Sequence, residues 1–384
     1  MTNAQFNTEA VTWRRMIHAQ PELTFDTKFV GNFVAEKLQE FGLDEVHKGF
    51  ARNGVIGVLR GRGPGKTIGL RADMDALPLA ETTGRPWVSK IPGKMHACGH
   101  DGHTAMLLAA ARYLANEKNF NGTVVFIFQP AEERGAGAKV MIEEGVLDRF
   151  KIENVFGMHN LPGLPVGRFA IRSGAIMAAT DDFTIHLRGM SGHAALPHAA
   201  IDPIVAASQI VINLQTLVSR NVDPLDSAVV SVCKLHSGTA MNIIPDTAEI
   251  AGTIRTLNPA TRQMLRERFH EVVESICAAH RINFTIDFEK NAPAVLNADI
   301  QTEVAIRAAT DVVGESNVEG DTRPIMGGED FAYMLEARPG AFMFIGNGDS
   351  APLHNSNYDF DDEALQFGVG YWLCLVNVAL NTSA

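Results

Sequence analysis

The chain has 384 residues, enough for roughly two to three domains' worth of core. Hydrophobic residues make up 46% and charged residues 20%, the balance of an ordinary globular protein, which excludes a disordered, collagenous or membrane-spanning chain. Thirty-three basic against 44 acidic residues leave a formal charge of −11 with no dense Lys/Arg run, so neither nucleic acid nor an anionic membrane is expected as a partner.

Residues 1–16 are polar and lack the apolar core of a signal peptide. Cys98, Cys233, Cys277 and Cys374 are few and widely spaced, which fits a reducing cytoplasm better than a disulfide scaffold. Residues 29–41 place Phe29, Phe33, Val34, Leu38 and Phe41 near helical spacing and stop at Gly42, a C-terminal cap. Strands are predicted over residues 55–59 and 67–70, a helix over 104–115, and further strands over 124–128, 155–158 and 342–345. Solid apolar runs separated by helices describe strands buried on both faces of a largely parallel sheet. Between them the texture changes to strand, helix, strand, strand, helix, strand over residues 183–187, 203–218, 228–235, 248–257, 259–279 and 283–288. Asp202-Pro203 and Asn258-Pro259 supply a cap followed by proline at the first helical position. That order is the split β-α-β pattern of a ferredoxin-like unit. The expected architecture is an α/β domain of residues 1–180 and 290–384, interrupted by a smaller α+β domain of residues 181–289.

The densest chemistry is His96-Ala97-Cys98-Gly99-His100-Asp101-Gly102-His103, which suggests metal ligation. Its blander reading is a polar loop in which Asp101 or Thr104 caps the following helix. Glu132-Glu133 follows the strand at 124–128 and, taken alone, reads as solvated charge. The strand at 155–158 runs into His159-Asn160, that at 342–345 leads to His354-Asn355, and that at 67–70 ends at Arg71-Ala72-Asp73. Residues suited to metal binding thus recur past the carboxyl ends of parallel strands, where open α/β sheets place their sites. His18, His47, His270 and His280 read as surface or helix-face residues.

At these residues the sequence resembles the metal-dependent amidohydrolases of the M20 peptidase family, in the branch of hippurate hydrolases, bacterial N-acyl-amino-acid amidohydrolases and plant indole-acetyl-amino-acid hydrolases. The resemblance runs nearly end to end, on residues 71–78, 96–103, 129–133, 158–160, 191–198, 241–245, 327–331 and 353–355. It implies a zinc-peptidase-like catalytic domain with a mostly parallel central sheet, an inserted ferredoxin-like lid or dimerisation domain, and a homodimer. It also implies two divalent ions, Mn, Zn, Co or Ni, held by Cys98, His100, Glu133, His159 and His354, with Glu132 as general base. Cys98 stands where the wider family has a bridging aspartate. Arg71-Ala72-Asp73 departs from the wider family's His-x-Asp motif, so His100 replaces the missing ligand and the role of Asp73 stays open. By the same resemblance His193 reaches the active site of a partner subunit to stabilise the oxyanion, and Asn242 helps to hold the substrate carboxylate. Arg255, on the strand at 248–257, can pair with that carboxylate or stand as an exposed strand cation.

The implied reaction is hydrolysis of a small N-acyl amino acid to a carboxylic acid and a free amino acid. Two cations about 3.5–4 Å apart can lower the pKa of a shared water to near 7 and polarise the amide carbonyl. A carboxylate then takes the water's proton and returns it to the departing amine. Thiolate favours zinc-like ions, whereas imidazole and carboxylate also suit manganese, cobalt or nickel. Two other readings stand beside this one: a thiol amidase with Cys98 as nucleophile beside His100 or His96, and a non-catalytic binding protein, against which an unligated base at Glu132 argues. Benzoyl, indoleacetyl, acetyl and longer acyl groups all remain open.

Overall fold

The computed structural model of the chain describes residues 3–289 and 292–381. It divides into two units, Met1–Ile176 with Val295–Arg323 and Asp330–Ala384, and Met177–Ala294 with Pro324–Glu329.

In the first unit the solid apolar runs become adjacent strands. Thr123–Gln129, Thr67–Asp73, Asn154–Leu161 and Gly340–Gly346 lie side by side and parallel. Gly54–Arg60 and Glu45–Phe50 extend one edge antiparallel, and the short strands Phe169–Ala170 and Val318–Glu319 close the other, completing eight strands. From Val124 to Phe128 every side chain is fully buried. Alternation is absent because helices, among them His100–Glu117 and Ala364–Asn381, cover the sheet.

Three boundaries beside the site differ from the sequence expectation, the first being the strand expected at 67–70, which continues through Arg71 to Asp73 in its ladder with Ile127 to Gln129. The strand expected at 155–158 continues to Leu161, because its parallel ladder pairs His159, Asn160 and Leu161 with Phe344, Ile345 and Gly346. Polar side chains there do not interrupt backbone hydrogen bonds. The helix expected from residue 104 starts at His100, so His100, Asp101 and His103 occupy its buried first turn. Neither Asp101 nor Thr104 caps it; its cap is Gly99, at φ 89°.

His18 also departs from the surface reading, being fully buried. Its Nδ1 lies 2.8 Å from Asp101 Oδ2 and its Nε2 3.2 Å from Glu81 Oε2. Arg14, equally buried, reaches Asp101 Oδ2 at 3.4 Å and Asp362 Oδ1 at 2.8 Å. Burial opposes charge on His18, but Asp101 and Glu81 outweigh it and push the imidazole up to about 9. The same cations hold the Asp101 carboxyl well below the usual range against its own burial.

The second unit is a four-stranded antiparallel sheet, in the spatial order Ala228–Ser237, Thr247–Thr256, Ala179–Arg188 and Asn283–Glu289. Helices Pro203–Asn221 and Pro259–His280 pack on it around Phe183, Ile185, Leu214, Ile250, Leu265 and Phe269. The order is ferredoxin-like. Asp202 accepts from the Ile204 amide at 2.8 Å and Asn258 from the Ala260 amide at 2.9 Å, so both expected caps form ahead of their prolines. No helix among the described residues is long and apolar enough to cross a membrane.

Asp101→Asn removes the counter-charge of two fully buried cations, and the unfolding free energy is expected to fall by about 3 kcal/mol in chemical denaturation. A loss below about 1 kcal/mol would show that Asp362 and Glu81 suffice. Because His18 is raised from about 6.5 when unfolded to about 9 when folded, its contribution is complete below pH 6.5 and is lost as pH rises through 9. The His18→Gln protein should therefore lose less stability than the unsubstituted protein over that window.

Candidate metal centre

The ends of the parallel strands bring their polar residues together within the first unit. His100 enters from the helix that starts behind Gly99, and its Nδ1 lies 2.8 Å from the Asp75 carbonyl oxygen. A carbonyl can only accept, so Nδ1 carries a proton and Nε2 is the nitrogen turned to the cluster. That Nε2 is buried without a hydrogen-bond partner. His159 is fixed in the same way, its Nδ1–H donating to the Asn160 carbonyl at 2.7 Å while Nε2 stands 3.4 Å from Cys98 Sγ.

After the strand Thr123–Gln129, Ala131 takes a left-handed φ of 59° and a single helical turn, Glu132–Gly135, follows. For an alanine that conformation costs about 1 kcal/mol. It turns the Glu132 and Glu133 amides onto Asp75, whose two carboxylate oxygens accept them at 2.9 and 3.3 Å. His354, also left-handed at φ 62°, is tied down by its amide, which donates to the Ala97 carbonyl at 2.8 Å. Its Nε2 lies 3.5 Å from Glu133 Oε1.

Three overlapping sets result: Cys98, His100 and His159; Cys98, Glu133 and His354; and His100, Glu132 and Glu133. In each, the potential ligand atoms lie within 4.8 Å of one another. Cys98, His100 and Glu133 are each common to two of the three. Glu133 Oε1, like His100 Nε2, is buried without a hydrogen-bond partner. Sulfur, imidazole nitrogen and carboxylate oxygen together suit a divalent transition ion, and the two orphaned atoms are ones such an ion would satisfy.

The electrostatics agree. Burial opposes ionisation of Glu133, yet His354 and His100 hold its carboxyl below the usual range. Burial likewise opposes charge on His100, but Asp73 and the neighbouring carboxylates push it up to about 10, a demand for positive charge that a cation at Nε2 would meet in place of a proton. Burial, with His103 beside it, drives His159 well down, so this imidazole stays neutral. Asp73 is not an idle carboxylate: Arg71 Nη1 donates to its Oδ2 at 2.8 Å, and Arg71 Nη2 donates to Asp330 Oδ1 at 3.0 Å. Arg71, where the wider family's histidine is missing, thus ties two buried acids together.

His193, Asn242 and Arg255 stand in the second unit. His193 is exposed on a two-stranded ladder of Gly192–His193 with Ile243–Ile244. Its Nδ1 accepts the Ala195 amide at 3.0 Å, which places the proton on Nε2. Asn242 is exposed, and its carbonyl accepts from the Ala194 amide at 3.1 Å. Arg255 lies on the strand Thr247–Thr256, where its Nη1 is 3.4 Å from Asp182 Oδ1. Sequence reading missed Asp75, which fixes both glutamates, and Asn160, which touches both flanks of the cluster. Each sat in a motif whose neighbour drew the attention, Asp73 in one and His159 in the other.

A family model described as peptidase family M20/M25/M40 matches residues 69–378. The hippurate hydrolase of Campylobacter jejuni is 45% identical over 359 residues, spanning 94% of this chain and 93% of that protein. An N-acetylcysteine deacetylase of Bacillus subtilis is 39% identical over 383 residues and 100% of both chains. Among solved structures, a dinuclear metal binding peptidase of the M20 family from Bacillus subtilis superposes with a TM-score of 0.88 at 36% identity, over 100% of both chains.

At Gly99 an added Cβ would lie 2.3 Å from Asn160 Nδ2 and 2.5 Å from Tyr358 Oη, at a φ that L side chains avoid. Gly99→Ala is therefore expected to lower the unfolding free energy by about 2 kcal/mol and to weaken metal retention on dialysis, because the residue next to Cys98 must move. Full metal content after dialysis would show that the turn tolerates the side chain.

Proposed function

The chain belongs to the peptidase family M20/M25/M40, and from that membership we propose that it cleaves the amide bond of N-acyl amino acids, releasing a carboxylic acid and a free amino acid. It is an enzyme acting on amides. The observation that carries the metal-dependent reading is the pair of buried orphan atoms, His100 Nε2 and Glu133 Oε1, beside the Cys98–His159 contact of 3.4 Å.

Cys98, His100, Glu133, His159 and His354 would hold two divalent ions, drawn from Mn, Zn, Co and Ni. Such ions, when bound, acidify a water and polarise the amide carbonyl. The chain's own residues do the rest. Glu132, with Oε2 3.9 Å from His100 Nε2 and its amide anchored on Asp75, keeps its carboxylate beside the cluster. It accepts the proton of the attacking water as the oxygen adds to the carbonyl carbon, and delivers that proton to the amine nitrogen as the C–N bond breaks.

His193 has the tautomer this chemistry needs, because a proton on Nε2 can be donated to the developing oxyanion. We assign that donor to the partner's reaction centre in a homodimer. Support comes from the apolar residues exposed about this ladder, Met190 at 48%, Leu196 at 51%, Met241 at 104% and Ile243 at 54%, a patch that association would cover. Asn242 and Arg255 would take the substrate carboxylate.

Glu132→Gln is expected to keep two ions per chain by elemental analysis while kcat falls at least 100-fold. A variant with near-normal kcat would remove Glu132 as the base. For the role in trans, mixing inactive Glu132→Gln and His193→Ala proteins should restore activity, since one protomer contributes the base and the other the imidazole. No recovery after verified subunit exchange, or sedimentation as a monomer, would overturn it.

A further inference from the structure

His103 is the third imidazole of the motif, and with Asp73 and His100 it forms another group whose potential ligand atoms lie within 4.8 Å of one another. Distance alone would make it a ligand. Its hydrogen bonds exclude this, because both ring nitrogens are already committed. The Asn160 backbone amide, which can only donate, points at His103 Nε2 from 3.0 Å. Nε2 is therefore the acceptor and Nδ1 carries the proton, which it donates to Asp73 Oδ1 at 2.7 Å. Asp73 Oδ2 is in turn taken by Arg71.

Asn160 carries the connection onward. Its Nδ2 is 3.1 Å from His103 Nε2 and donates to the Cys98 carbonyl at 2.6 Å, while its Oδ1 accepts the Tyr358 hydroxyl at 2.8 Å. Its own carbonyl accepts the Nδ1–H of His159. One buried amide side chain thus sets the Cys98 turn, and its backbone sets the tautomer of His159. His103 holds that residue from the back.

We propose that His103 is a positioning residue of the metal centre: it binds no cation, but through Asn160 it fixes the directions in which Cys98 Sγ and His159 Nε2 point. The inference rests on the metal-centre reading of the site. Groups behind the ligands commonly change metal affinity 10–100-fold when removed.

The test exchanges cobalt(II) into the full-length protein and reads its thiolate-to-metal absorption, its metal stoichiometry and its affinity by competition with a chelator. His103→Gln can return an acceptor near Nε2, whereas His103→Asn can return only the donor near Nδ1. The expected result is that His103→Asn still binds two ions, with affinity at least tenfold weaker and the thiolate band shifted, and that His103→Gln recovers most of both. Tyr358→Phe removes one hydroxyl from the same chain of contacts and should move the band in the same direction, whether or not His103→Asn folds. Loss of one whole equivalent of metal from both histidine variants would make His103 a ligand and overturn the proposal. An unaltered band and affinity in His103→Asn, or in Tyr358→Phe where that variant alone folds, would overturn it too. If the unsubstituted protein shows no cobalt–thiolate band at all, the metal-centre reading itself fails, a result distinct from a normal band that the substitutions leave unchanged.

Discussion

Burying a thiol, carboxylates and bare imidazole nitrogens against one another is unfavourable unless positive charge joins them. The first unit is organised around that need. Asp73 is answered by Arg71 and His103, Asp101 by Arg14 and His18, and Asp330 by Arg71 and Gln129. At Glu133 Oε1 the pattern loosens: the buried atom has no hydrogen-bond partner, and the imidazoles of His354 and His100 face it from 3.5 and 4.0 Å. The sulfur and imidazole nitrogens around that oxygen are what a divalent ion requires. Hydrogen-bonded compensation at the periphery and orphaned atoms at the centre together point to a place for a cation.

The sheet makes this arrangement possible. Four parallel strands present their carboxyl ends side by side, so segments separated by up to about 250 residues bring candidate ligands to one place. At the delivery points the backbone turns left-handed, at Ala131 and His354 with the strain of a non-glycine residue and at Gly99 without it. Asp75 and Asn160 hold the strained turns. Both use one side chain to serve two functional groups, and neither need contact a substrate.

The clustered polar residues and the sheet were legible in the sequence because hydrophobic runs and polar strand ends are both local patterns. Cys98, His100, Glu132, Glu133, His159 and His354 were all picked out, and the structure brings them into overlapping sets. The caps at Asp202 and Asn258 were legible for the same reason. What escaped depends on contacts between distant segments. His18 lies 83 residues from Asp101, and nothing local distinguishes it from the exposed His270. Polarity hid the first turn of the helix at His100, since buried histidines read as loop when their partners are unknown. His103, outside the ligand set that the resemblance implies, shows what it does only when its donors and acceptors are counted.

The most direct test of the account is amino-acid release from a panel of N-acyl amino acids, before and after chelator treatment and after restoring Mn, Zn, Co or Ni singly. The account requires activity to disappear on stripping and to return with at least one ion. Undiminished activity after verified metal removal would contradict it.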